Sequence, residues 1–216
     1  MGATFAHMLP LALGAAVSPT VLAVLLLLLG SENRPRARGA AFAAGAMAML
    51  AAITAALLPI LHALDTRHGA QRAAWDWTDI GLGVLLVLIG LRAVTRRGEP
   101  APPKPPHESG LATDAALGAG MMLANLSTLV LYVAALKEIA LAGTGTGGKA
   151  ALLLVLYAVT TMLIWVPLLI DTAVPRTADR VLGSMNRWLR DHRRAVGAAV
   201  CFAFGAYLIV KGVRGL

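Results

Sequence analysis

Six apolar runs dominate this sequence and leave little chain for anything else. A helix needs about 20 apolar residues to cross a bilayer. The runs lie at Met8 to Gly30, Gly39 to Leu61, Asp79 to Val94, Ala115 to Ala135, Ala150 to Ile170 and Ala195 to Val210. The third is the shortest. Its charge-free core runs only from Ile80 to Leu91, so it needs Arg92 to snorkel at one end and Trp75 and Trp77 to anchor the other. Only 14% of the 216 residues are charged, against roughly 25% in soluble domains. The pattern predicts an all-α, multi-pass membrane protein of six transmembrane helices, with no room for a sizeable soluble catalytic domain.

Charge sets the expected topology. No Lys or Arg precedes the first run, and Arg34, Arg36 and Arg38 follow it, so it reads as a retained helix and not a signal peptide. Thirteen of the 19 basic residues fall in the first, third and fifth loops with their flanks. The positive-inside rule then makes those loops cytoplasmic and puts both termini outside. The net charge of +8 follows from these loops. No basic stripe is interleaved with aromatics, so nucleic acid is not an expected partner. Cys201 is the only cysteine, which excludes an intramolecular disulfide or a CxxC pair.

Residues 98–110, with five prolines, form a semi-rigid cytoplasmic linker between residues 1–97 and 111–216. The two sides echo each other. Leu13-Gly14-Ala15-Ala16 precedes Ser18-Pro19-Thr20, and Leu117-Gly118-Ala119-Gly120 precedes Asn125-Leu126-Ser127-Thr128. Pro59 and Pro167 sit near the ends of the second and fifth runs as expected kinks. Three spans per half is odd, so the halves must be inverted, as in many secondary transporters whose sites lie at broken helices near the midplane. Residues 180–191 have helical apolar spacing through Val181, Met185 and Trp188, which predicts a short interfacial helix. Gly81, Gly83, Gly90, Gly197 and Gly205 permit close helix contact, within the chain or across a homodimer face.

Ser18-Pro19-Thr20 lies roughly 15 Å along the first run, near the bilayer centre. Pro19 frees an upstream carbonyl, tolerated in a membrane only against protein, water or substrate. A kink satisfied by Ser18 or Thr20 is one reading. A substrate path is the other, favoured because Asn125, Ser127 and Thr128 fall at matching depth. Thr160 and Thr161 reach the same depth on the fifth run but often bond back to their own helix. Asp171 is expected to pair with Arg176 or Arg180, and Lys137 and Glu138 to be solvated. The five histidines show no ligand spacing. Neither a metal nor another cofactor is expected, and no nucleotide loop, nucleophile elbow or carboxylate pair supports an enzyme. No acid or base occupies the central third of any run, so a seam of hydroxyls and amides suits an amphiphile better than a cation.

The stretches LALGAAVSPTVLAVLLLLLG, RPRARGAAFAAGAMAML, DIGLGVLLVLIGLRAV, GAGMMLANLSTLVLYVAALKEIA and MNRWLRDHRRAVGAAVCFAFGAYLIVKGV resemble the glycopeptidolipid-addressing protein family. That family includes the sulfolipid-addressing proteins of mycobacteria and belongs to the LysE-like exporter superfamily. The resemblance covers nearly the whole chain outside the Pro-rich linker. Relatives typically read Asn-Pro-Lys in the fourth run; here only Asn125 carries over. The resemblance implies a bacterial inner-membrane protein that helps export an envelope glycolipid, alongside lipid-synthesis and lipid-export machinery. The expected path residues are Ser18, Pro19, Thr20, Asn125, Ser127, Thr128, Thr160 and Thr161. Arg34, Arg36, Arg38, Arg187, Arg190, Arg193 and Arg194 are expected to hold anionic headgroups of membrane lipid or substrate. A small-solute exporter and a non-transporting scaffold are the rival readings.

Overall fold

The computed structural model describes residues 2–31, 33–65, 71–95, 110–173 and 175–215. Among these, every regular element is a helix: α1 (Gly2–Ala16), α2 (Pro19–Leu29), α3 (Pro35–Asp65), α4 (Gln71–Thr95), α5 (Leu111–Ala124), α6 (Leu126–Ala140), α7 (Thr146–Ala173) and α8 (Pro175–Gly215). Four stretches are long and apolar enough to cross a membrane: 35–61, 75–95, 146–173 and 194–215. The pairs α1–α2 and α5–α6 qualify only when joined, and they bend by 50° and 70°. The molecule is thus a multi-pass membrane protein with four to six candidate spans.

The two breaks form for different local reasons. Proline disfavours helical geometry in the residue before it, and Ser18 sits at φ −122°, ψ 89°. Pro19 takes the first position of α2, where its missing N–H is no loss. Asn125 needs no proline. It leaves the helix at φ −83°, ψ 76°, and its side chain accepts from the Thr128 N–H to cap α6. Its carbonyl meanwhile accepts the Leu129 N–H at 3.0 Å and starts the new helix.

The half-helices occupy the middle of the bundle. Leu25 and Leu28 of α2 and Leu131, Tyr132 and Leu136 of α6 are fully buried. The long helices surround them and turn Ile60, Leu88, Leu154 and Val210 outward, as residues facing hydrocarbon do. Glycines set the tightest approaches. A side chain at Gly45 or Gly118 would run into the carbonyl of Ala115 or Phe42 across the α3–α5 crossing. A Cβ at Gly83 would sit 2.7 Å from the Gly205 oxygen, and one at Gly205 2.9 Å from the Gly83 oxygen, fixing α4 against α8. Gly81 and Gly197 face open space.

Two expectations change in detail. The third candidate span begins earlier than Asp79, at Trp75, and Asp79 inside it is buried beside cations. Pro59 and Pro167, the expected kink positions, lie inside α3 and α7. Residues 180–191 are not a separate element: they form the N-terminal part of the 41-residue α8, about 60 Å long at 1.5 Å per residue.

Candidate functional site

The two breaks meet. Asn125 Nδ2 donates to Ser18 Oγ at 2.6 Å, across 107 residues of sequence. Ser127 Oγ donates to Asn125 Oδ1 at 3.0 Å, and Thr128 Oγ1 donates to the Ala15 carbonyl at 3.0 Å. Each broken end therefore supplies groups the other lacks, which is how interrupted backbone survives at membrane depth. Three acceptors at the first break have partners: the Gly14, Ala15 and Ala16 carbonyls take bonds from Val17 N–H, Thr128 Oγ1 and Ser18 N–H.

Beside this junction lies a small hollow lined by Ala15, Ser18, Val21, Met122, Thr128 and Thr160, with room for about one water molecule. Thr160 is buried and its hydroxyl has no partner. Thr161 is buried too, but its hydroxyl bonds back to the Tyr157 carbonyl at 2.8 Å. Thr20 points outward. Of the residues expected at the midplane, the structure thus brings Ser18, Asn125, Ser127, Thr128 and Thr160 together. Thr20 and Thr161 stand apart, and Pro19 serves the backbone.

The arginines after the first run are not equivalent. Arg38 was expected among the headgroup contacts, yet it is only 7% exposed and forks onto Asp114, with Nε to Oδ2 at 2.9 Å and Nη2 to Oδ1 at 3.2 Å. An aspartate fully buried in α5 requires a cation, and a forked guanidinium is the best-matched one. Arg36 remains exposed and binds Asp171 at 3.0 Å; the side chains of Arg176 and Arg180, the partners expected for Asp171, lie outside the described residues. Arg34 adopts a left-handed φ of 49° just before α3. Arg194 is exposed, and the side chains of Arg187, Arg190 and Arg193 lie outside the described residues.

The opposite end holds a network that sequence reasoning missed. Lys137, expected in solvent, is 3% exposed. Its ammonium pairs with Asp79 and donates to the Trp75 carbonyl at 3.2 Å. Lys211 reaches the other Asp79 oxygen at 3.2 Å and also pairs with Glu138. Burial in the bundle would be prohibitive for any one of these charges alone. Together they are neutral, and they tie α4, α6 and α8.

The family model described as Sap, sulfolipid-1-addressing protein, matches residues 8–214. No curated protein and no solved structure gives a significant match.

Proposed function

The chain belongs to the sulfolipid-1-addressing protein family, and from that premise we propose that it is a bacterial inner-membrane protein that passes a glycolipid or similar amphiphile across the bilayer. The path would be the seam where the two broken helices meet. The observation that carries this is the Ser18–Asn125 hydrogen bond, which joins two interrupted helices by neutral polar groups inside an apolar bundle. A headgroup could exchange hydrogen bonds with these groups while its tails stay in lipid.

The ion pairs support six crossings in alternating directions. The starts of the second and fourth runs meet through Arg38 and Asp114, and the start of the second meets the end of the fifth through Arg36 and Asp171. The start of the third meets the ends of the fourth and sixth through Asp79, Lys137 and Lys211. Alternating spans sort their ends in this way. Asp114 and Lys137 then lie at opposite ends of α5–α6, so that bent pair crosses and does not turn back.

Inverted repeats find support in the packing. Exchanging α1 with α5, α2 with α6, α3 with α7 and α4 with α8 maps most of the packed pairs onto one another, with α7–α8, α1–α8 and α5–α6 as the exceptions. Helix α2 touches α3, α7 and α8, while α6 touches α7, α3 and α4. The termini lie outside in this reading, and the exposed loop arginines face anionic lipid in the cytoplasmic leaflet. Docking of lipid-synthesis or lipid-export proteins, and a homodimer, extend the same proposal. The protein itself carries out no bond chemistry.

Proteoliposomes holding the full chain and a fluorescent glycolipid test this, with dye loss to a membrane-impermeant quencher as the readout. Wild type should move the lipid, and Asn125→Ala should slow it roughly tenfold, as expected for a lost hydrogen bond to a polar group inside the membrane. The closed seam favours a second reading, a scaffold that transports nothing. Under it, proteoliposomes move no lipid, and Asn125→Ala still restores surface glycolipid in cells. Efflux of a labelled amino acid without lipid movement would instead identify a small-solute exporter.

A further inference from the structure

We infer that the start of α2 is a subsite for one anionic oxygen group, carried by a lipid headgroup or by a free oxyanion. This deepens the seam reading and rests on it. The two breaks differ in what they leave unmade. Asn125 caps α6 with its side chain. Ser18 gives α2 no side-chain cap. Pro19 has no N–H and the Leu22 N–H reaches the Ser18 carbonyl at 3.1 Å, so the N–H groups of Thr20 and Val21 are left without an intrahelical partner.

The second, independent observation is Thr160. It belongs to a different helix, it is 3% exposed, and its hydroxyl is unpartnered while lining the same hollow as Ser18 and Val21. A buried hydroxyl with no partner is destabilising by itself, and here it sits where the positive end of a helix dipole also points. The Gly14, Ala15 and Ala16 carbonyls at this break are already occupied. Two helix N–H groups without intrahelical partners, the positive end of the dipole and a hydroxyl free to donate together favour an anion over a cation. The size of the hollow in this closed state admits a single atom-sized group, so a headgroup oxygen enters only as the seam parts.

The test uses the full chain in detergent, with inorganic sulfate as the free anion and two short-chain lipids of identical tails, phosphatidylglycerol and diacylglycerol. Calorimetry should show sulfate binding that phosphatidylglycerol displaces and diacylglycerol does not. Thr160→Val should weaken it roughly tenfold, with Thr160→Ser close to wild type. Without ligand, Thr160→Val should melt higher, because it removes the unpaired hydroxyl at constant shape. Val21→Pro, which deletes one N–H in the first helical turn where proline is tolerated, should weaken sulfate binding independently. Undiminished sulfate affinity in both variants, or no sulfate binding by wild type, overturns the subsite. If sulfate binds through Thr160 and phosphatidylglycerol does not compete, the subsite stands with a free anion as its ligand and the lipid reading fails. If both lipids bind alike and Thr160→Val changes nothing, the lipid reading stands and the subsite falls.

Discussion

At one end of the bundle Arg38 forks onto Asp114 and joins α3 to α5. At the other, Asp79 is shared by Lys137 and Lys211, and Lys211 by Glu138, so three helices are joined. Both arrangements solve the same problem, charge withdrawn from water, but they fail differently. The forked pair rests on one carboxylate, and losing either member takes the two-pronged contact from the other. The network has a hub and a rim. Lys211 keeps Asp79 if Glu138 is removed, whereas among the described residues Lys137 pairs with no carboxylate but Asp79. Between these ends the seam carries no ionised group, so a path opening toward one side must part the charges on that side.

The hub should give the largest effect. Asp79→Ala strands Lys137 in the bundle and takes one of two carboxylates from Lys211, and breaking a buried pair this way costs about 3–5 kcal/mol. Thermal unfolding in detergent should show a loss near the top of that range. Adding Lys137→Met should recover much of it, because an apolar side chain of similar length needs no counter-charge. A double variant as unstable as Asp79→Ala alone would mean that Lys137 is not the stranded group.

The forked pair comes next. Arg38→Met leaves Asp114 fully buried without its guanidinium, and the loss should fall in the lower part of the same range of about 3–5 kcal/mol. The pair Arg38→Met with Asp114→Leu should lie closer to wild type than Arg38→Met alone. Glu138→Gln, on the rim of the network, should lower the unfolding midpoint far less than either hub variant. Equal losses for Glu138→Gln and Asp79→Ala would erase the distinction between hub and rim.

The sequence made the seam legible and the clamps nearly invisible, for one physical reason. A break leaves a local mark: Ser18-Pro19 and Asn125 are polar or helix-breaking residues inside apolar runs. Their matching depths were enough to pair them, and Thr128 and Thr160 followed from the same count. A charge at the end of a run leaves no such mark. Lys137 looks the same in sequence whether it snorkels to water or turns into the bundle, and its partner Asp79 is 58 residues away. Arg38 and Asp114 are 76 residues apart. Asp171 makes the same point from its described contact: Arg36 lies 135 residues away, while the side chains of Arg176 and Arg180 lie outside the described residues. Asn125 taught the reverse lesson. The fourth run lacks a proline at its break, yet bends by 70° because the amide side chain caps the new helix.

Arg36 and Asp171 offer the smallest and sharpest control on this comparison. Their geometry, 3.0 Å from Nε to Oδ2, is as good as that of Arg38 and Asp114 at 2.9 Å. The second Arg36 bond goes to the Asp171 backbone carbonyl and not to the carboxylate, and the setting differs more: the Arg36 side chain is 54% exposed and the Arg38 side chain 8%. If burial and not distance decides what a pair is worth, Arg36→Ala should lower stability by at most about 1 kcal/mol, the upper bound for exposed pairs. That loss should shrink further as salt is raised through the range where the Debye length falls to a few ångströms. The loss in Arg38→Met should hardly change over the same range, because water and ions do not reach Asp114. Unfolding midpoints of the two variants against wild type at low and high salt settle the point, and parallel salt responses would mean that the Arg38–Asp114 end is open to solvent.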